Sequence, residues 1–422
     1  MEKLMQLKNP EYVRKFQGMC GVLIKQNNNC GSSTKNTRYG HRHEESRRKR
    51  NRNCPYQNEN NSGKTDVGTN ECNGDSFGDD ADDGHSSTKN DNSPVAYEIK
   101  YKLPYYLAQI GAFLGDEIFY FVFYSYLAWN LDMVVARHTA MVWSVVMYLG
   151  QRTKDYLQWP RPPAPPVIHL EACHLHESSM PSTHAMAGTA MPIVLAVTIS
   201  SRYECSYLLV GSVAVLWCAL VCLSRLYLGV HTILDVLCGF ISSIVICAVM
   251  IPCLPNLDYY QQHHAFAPLV ILIAGISLCT ICYPTTEKHG AKAKAVEIVS
   301  VTTGICVGLW INYQLGFVTE PHEPMPYQIT APTLKWTALT LCRFVCGSAV
   351  LGVGYILVKT LSVRFFSMYF GLDKVDERHP SVRMAHKFVT YFVIGFMTTC
   401  GAPMFVFKAL GIERISAFYE CY

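Results

Sequence analysis

Beyond residue 102 the chain alternates between long apolar runs and short polar links. Nine of the runs approach the roughly 20 residues that a helix needs to cross a bilayer. They lie near 104–128, 139–158, 184–201, 206–228, 231–253, 266–284, 295–313, 335–359 and 388–410, with links such as RYECS, LPNLDYYQQHH, TTEKHGAKAK and TEPHEPMPYQITAP between them. The pattern predicts an all-α fold, a polytopic transmembrane helical bundle of about nine spans. No internal repeat is visible, which weakens a transporter reading based on inverted repeats.

The N-terminal quarter reads differently. Residues 9–25, NPEYVRKFQGMCGVLIK, carry Val13, Phe16, Met19, Cys20 and Leu23 at roughly helical spacing, which predicts a short amphipathic helix for a surface or a partner. From Gln26 to about Pro94 the chain turns to Asn, Ser, Gly, Asp and Thr, too few apolar groups to offset ordering entropy, so disorder is expected. Its charge is split between a basic block, Arg42 to Arg52, and an acidic one with Asp79, Asp80, Asp82 and Asp83. The basic block reads as a solvated tail, with a localisation or anionic-lipid patch as the other reading.

Composition agrees with a membrane protein: 50% hydrophobic, 12% aromatic and 16% charged. The mean hydropathy of +0.12 averages the polar insert with a far more apolar remainder. A net charge of +4, from 36 basic and 32 acidic residues, argues against nucleic acid as a partner. Of the 18 cysteines, Cys218, Cys222, Cys238, Cys247, Cys279, Cys306, Cys342, Cys346 and Cys400 lie in apolar runs as small hydrophobes, and no disulfide framework is implied. The first residues lack the apolar centre of a cleavable signal peptide, so the first span would direct insertion.

An ionisable residue in or beside a membrane span is a functional hypothesis, and such residues gather between Lys154 and Asp235. Lys154 falls on the last turn of the second run, and Pro160 and Pro162 stop the helix and hold Arg161 in extended chain. Two cations then face one point, although either alone could be a snorkelling residue at a membrane edge. Pro181-Ser182-Thr183-His184 opens the third run; Ser182 can cap the helix, whose outward N–H groups suit a phosphate, and His184 sits in the first turn. An ordinary cap beside an incidental histidine is the plainer alternative. Arg225 closes the fourth run, Gly229 lets the chain turn, and His231 and Asp235 stand four apart on one helix face. The carboxylate can accept from one ring nitrogen and leave the other as a nucleophile, or the pair is a surface hydrogen bond. Together these residues make up a charge clamp, a nucleophile and a general acid for phosphoryl transfer without a metal.

The order KX6RP, PSTH, SRX5HX3D resembles the three-part signature of the lipid phosphate phosphatase (type 2 phosphatidic acid phosphatase) superfamily. Thr183 stands where the commoner pattern has Gly. Pro-Ser-Thr-His-Ala, with NLDMVVAR before it, VMYLGQRTKDYLQWPRPPAPPV between and CLSRLYLGVHTILD after, is similar to the sphingosine-1-phosphate phosphatases, most densely from Gly111 to Gly239. NPEYVRKFQGMCGV also looks like theirs, while the insert and the last third match only in general character.

The resemblance implies that His231, oriented by Asp235, attacks phosphorus to form a phosphohistidine, and that His184 protonates the leaving alkoxide and then activates water. Lys154, Arg161 and Arg225 would hold the phosphate oxygens with Ser182 and the Ser182 and Thr183 amides, and no metal or other cofactor is expected. The substrate would be sphingosine 1-phosphate or a related long-chain base phosphate, among membrane lipids and without an obligate protein partner. The organisation would be an N-terminal segment (1–25), a disordered insert (26–96), a catalytic transmembrane core (104–253) and additional C-terminal helices (254–422). A multi-pass protein of the endoplasmic reticulum membrane is implied, with the site facing the lumen. The basic block argues for a cytosolic tail instead, although it lies farther from the first span than the 15–20 residues over which that rule counts charge.

Other readings stay open. Another lipid phosphate or glucose 6-phosphate is the rival substrate, and an anion transporter is the non-enzyme reading, which leaves the His231–Asp235 spacing unexplained. The loop from His169 to Glu177, with Cys173, His174 and His176, has zinc-compatible residue types but no familiar zinc spacing, and reads better as shaping the substrate entrance. Asp116 and Glu117 in the first run either line the lipid path or satisfy a neighbouring helix.

Overall fold

Every apolar run becomes helix. The computed structural model describes residues 6–24, 97–171, 177–283, 291–317, 325–329, 331–372 and 374–412, so the disorder expected for residues 26–96 falls outside the described residues. The elements are α1 (Pro10–Met19), β1 (Val22–Ile24), β2 (Tyr97–Ile99), α2 (Lys102–Leu114), α3 (Glu117–Tyr126), α4 (Met133–Leu157), α5 (Thr183–Arg202), α6 (Tyr207–Tyr227), α7 (Ile233–His263), α8 (Ala267–Thr280), α9 (Ala291–Gln314), α10 (Leu334–Tyr369), α11 (Pro380–Phe396) and α12 (Lys408–Leu410). Wider π-helical turns, Leu127–Leu131 and Met397–Phe407, extend α3 and join α11 to α12.

Among the described residues seven helical stretches are long and apolar enough to cross a membrane: α4, α5, α6, α7, α9, α10 and the run Pro380–Leu410. The protein is a multi-pass membrane protein. Two of the nine expected spans differ from simple crossings. The first is broken: α2 and the stretch from α3 to Leu131 meet at 65°, because Asp116 restarts the helix by accepting from Ile118 N at 2.8 Å. The sixth, α8, has 14 residues, about 21 Å of helix at 1.5 Å per residue, against a hydrocarbon core of about 30 Å.

In lipid, apolar burial gives helices little reason to associate, so close contact between small residues matters more. Ala185, Ala187 and Ala190 of α5 are fully buried, and a Cβ on Gly188 would run into Val221 of α6. Likewise Gly304 of α9 and Gly395 of α11 bring backbones so close that a Cβ on either would overlap the backbone of Phe392 or Val301.

Polar ties fasten one end of the bundle. Asp132, almost fully buried, caps α4 through Val134 N (2.7 Å) and Val135 N (3.2 Å), and also accepts from Arg202 Nε (2.9 Å) and Tyr203 OH (2.6 Å) at the end of α5. Arg137 pairs with Asp258 of α7 at 2.6 Å. Since α4, α5 and α7 are tied here, the C-terminus of α4 and the N-termini of α5 and α7 meet at the opposite end.

At that opposite end α1 docks. Asn9 caps it by accepting from Glu11 N at 2.9 Å, Pro10 occupies the first turn, and Gly21, at φ +87, turns the chain into β1, so the helix predicted for 9–25 stops at Met19. Gln17 is fully buried. Its Nε2 donates to Ile168 O (2.7 Å) and Tyr227 O (3.0 Å), and its Oε1 accepts from Ile168 N (3.1 Å).

Candidate active site

Four helix ends and two connecting segments converge beside α1. Lys154 lies on the last turn of α4, which ends at Leu157, before Pro160, and is closed by Gln158 in the left-handed conformation at φ 47. Its Nζ donates to Thr183 Oγ1 at 3.1 Å and lies 3.4 Å from Glu177 Oε2. Ser182 caps α5, its Oγ accepting from Ala185 N at 3.4 Å, and its own N–H donates to Asp235 O at 3.2 Å, joining the starts of α5 and α7.

Arg161 follows in the connecting chain. Its Nε donates to Glu177 O and its Nη1 to Val230 O, both at 2.9 Å, so one guanidinium ties the segment before α5 to the residue preceding His231. Burial pulls its pKa down to about 10, which leaves it cationic at neutral pH. Arg225, on the last turn of α6, is almost fully buried; Nη2 lies 3.2 Å from Glu171 Oε2, while Nε and Nη1 make no hydrogen bond among the described residues. Buried guanidinium N–H groups without acceptors are costly, and an anion would satisfy them.

His231 sits in the α6–α7 turn and is 1% exposed. The turn depends on Gly229, at φ +75, where a Cβ would also lie 2.8 Å from Gln17 Nε2. The expected direct bond from His231 to Asp235 is replaced by a relay: Nδ1 is 3.9 Å from Asp235 Oδ2 but 3.3 Å from Ser179 Oγ, and Ser179 Oγ donates to Asp235 Oδ2 at 2.6 Å. Asp235 Oδ2 also accepts from Thr232 N at 2.7 Å, closing a reciprocal cap at the start of α7. That bond holds the carboxylate back from the ring, and Ser179 bridges the gap. The hydroxyl has one proton and gives it to the carboxylate, so it can only accept from the ring; Nδ1 therefore carries hydrogen and Nε2 keeps its lone pair. Burial first, and then Arg161, Arg225, Lys154 and His184, hold the His231 pKa well below the ordinary imidazole value. A neutral ring with Nε2 free, beside three cations, can act as a nucleophile toward a bound phosphate.

His184 occupies the first turn of α5, half-buried. Gly115, at the bend between α2 and α3, packs against it; a Cβ there would come within 3.0 Å of its ring.

The structure thus brings together Lys154, Arg161, Ser182, Thr183, His184, Arg225, His231 and Asp235. Sequence reading gave no role to Ser179 or Thr232, whose parts depend on where Asp235 lies in space. It also assigned no site role to Lys294 of α9, whose Nζ is 2.6 Å from Glu177 Oε1, and it read Glu171 and Glu177 only as part of a loop that shapes the substrate entrance, with zinc as the rival reading. Of that loop, Cys173, His174 and His176 lie outside the described residues, and His169 Nε2 contacts Pro162 O at 2.9 Å. Ser179→Ala should lower kcat/KM for phosphate release by about 10- to 100-fold, the cost of losing a hydrogen bond to a charged group. An unchanged rate would remove the relay from the reaction.

The sequence model of the PAP2 superfamily matches residues 131–259, a span that holds all eight of these positions. The rat protein named sphingosine-1-phosphate phosphatase 1 is 35% identical over 316 residues, 73% of this chain and 73% of its own length. Human sphingosine-1-phosphate phosphatase 2 is 34% identical over 322 residues, covering 74% of this chain and 80% of that protein. A more distant relative, lipid phosphate phosphatase delta of Arabidopsis thaliana, is 25% identical over 229 residues, 51% of this chain and 53% of its own. None of the solved structures matches the chain. With a third of its residues shared over most of both lengths, the chain belongs to the sphingosine-1-phosphate phosphatase family of the PAP2 superfamily.

Proposed function

We propose that this chain hydrolyses sphingosine 1-phosphate and related long-chain base phosphates to the free base and phosphate through a phosphohistidine on His231. Membership of the family makes it a phosphoric monoester hydrolase. The observation that carries the mechanism is the His231–Ser179–Asp235 relay, which fixes the tautomer and leaves Nε2 unprotonated on a ring that feels the three cations.

In the first step Nε2 attacks phosphorus opposite the ester oxygen. The N–P bond forms as the P–O bond breaks, and His184 gives its proton to the departing oxygen. Lys154, Arg161, Arg225 and the first amides of α5 take up the charge that grows on the remaining oxygens. Asp235, through Ser179, balances the positive ring of the phosphohistidine. In the second step His184, now neutral, takes a proton from water; the water oxygen attacks phosphorus, the N–P bond breaks, and its electron pair returns to Nε2. Each step needs only side chains named above.

The proposal extends to an endoplasmic reticulum membrane with the site facing the lumen, in keeping with the motif resemblance. Since α1 docks beside the site, both belong to one side of the membrane.

One experiment tests the reading. Solubilised full-length protein in excess EDTA should release phosphate from sphingosine 1-phosphate with kcat/KM at least about tenfold above that for phosphatidic acid. In sealed microsomes, externally added short-chain substrate should be spared until the membrane is permeabilised. Preference for phosphatidic acid would overturn the substrate, loss of activity in EDTA the mechanism, and hydrolysis by sealed vesicles the sidedness.

A further inference from the structure

Two lysines grip Glu177. Lys154 Nζ lies 3.4 Å from Oε2 and Lys294 Nζ 2.6 Å from Oε1, while the same residue's backbone carbonyl accepts from Arg161 at 2.9 Å. Lys154 and Arg161 are phosphate-seat cations, so a carboxylate stands at the edge of a seat built for an anion. Lys294 belongs to α9, beyond residue 259, where the superfamily match ends. Three residues further along α9, Glu297 has its own cation in Lys387 of α11 at 2.6 Å, while Lys294, which also feels the charge of Glu117, makes its close ion pair with Glu177.

A carboxylate here opposes a bare phosphate dianion by like-charge repulsion. The arrangement favours a ligand that brings its own positive charge to that spot. A long-chain base phosphate does so: its ammonium is on the carbon next to the one bearing the phosphate ester. With the phosphate on Lys154 and Arg161, that ammonium comes within reach of a carboxylate that touches Lys154 and belongs to the residue whose backbone carbonyl holds Arg161. An amine-free lipid phosphate has nothing to offer it.

We propose that Glu177 receives the substrate's ammonium, with Lys294 as the positioning residue that holds the carboxylate in place. The inference rests on the phosphatase reading above and names the group that sets its substrate class. Discrimination against amine-free lipids then depends on a helix outside the region shared by the whole superfamily.

The test compares kcat/KM for sphingosine 1-phosphate and octadecyl phosphate, a single-chain monoester without an amine, in full-length wild type and Glu177→Gln. The ratio of the two should fall by about 30-fold or more, as expected for loss of one partner of a desolvated charge pair. Glu177→Asp should keep most of the ratio, and Lys294→Met should lower it in the same direction, with Lys294→Arg restoring it. An equal change in both substrates, or a ratio that holds in Glu177→Gln, overturns the inference and leaves the phosphatase reading standing. Wild type that hydrolyses neither substrate overturns both.

Discussion

His231→Ala should abolish turnover of sphingosine 1-phosphate, a loss of about 10⁴-fold or more, on the scale seen when the nucleophile is removed from a group of residues that acts as a unit. The structure gives the reason. Alanine removes the buried ring whose Nε2 is set free by the Ser179–Asp235 relay. The partner experiment is His184→Ala, which removes the group proposed to protonate the leaving oxygen and activate water but leaves His231 in place. Incubated with substrate labelled on phosphorus and quenched in alkali, His184→Ala should accumulate slowly formed, base-stable and acid-labile phosphoprotein. Wild type should show little, and the double variant none. Label on a peptide other than the one carrying His231 would overturn the assignment.

Arg161→Lys should lose about 10²- to 10³-fold in kcat/KM although it keeps the charge. Two of the five N–H groups of a guanidinium already hold the carbonyls of Glu177 and Val230, which fixes the segment before α5 against the turn that carries His231. The rest remain for phosphate oxygens. A lysine ammonium has three donors at one point on a flexible stem and cannot reach both carbonyls and a phosphate together. The loss should therefore appear in kcat as well as in KM, because the nucleophile's turn loosens along with the seat. A rate within threefold of wild type would make Arg161 a membrane-edge cation with no part in the reaction.

What could be read from the sequence was what is local in it. Lys154 on a last helical turn, Ser182 as a cap and His184 in a first turn depend on a few neighbouring residues, and the helix ends found at 157 and 183 agree with them. Gly229 announced a turn, and the turn has a positive φ. Spacing misled where two partners competed for one group. His231 and Asp235 are four apart, but the backbone of Thr232 also claims the carboxylate, and only folding brings in Ser179 to connect them. Apolar length also misled where it could not reveal a break: Asp116 interrupts the first run with a new cap, and α8 stops after 14 residues. Nothing local marks Lys294, in a polar link that looked like an ordinary membrane-edge connection. Its meaning comes from Glu177, more than a hundred residues earlier. Gln17 carries no local signal of its place either, and it is fully buried with its amide on the carbonyl of Tyr227, at the start of the turn that carries His231.

The docking of Gln17 also sets an order of events during synthesis. The carbonyl of Tyr227 that Gln17 grips is 210 residues downstream, and that of Ile168 is 151 downstream. At 5–20 residues per second, the ribosome needs roughly 10–40 s after making α1 to complete its berth. Throughout that interval a helix of ten residues, marginal by itself in water, lacks the partners that hold Gln17. The turn bearing His231 is thus braced by a segment made well before it, and that brace can engage only after α6, the third of the membrane-length helices, has been delivered. Until then Gln17 has neither of the carbonyls that bury it in the finished protein.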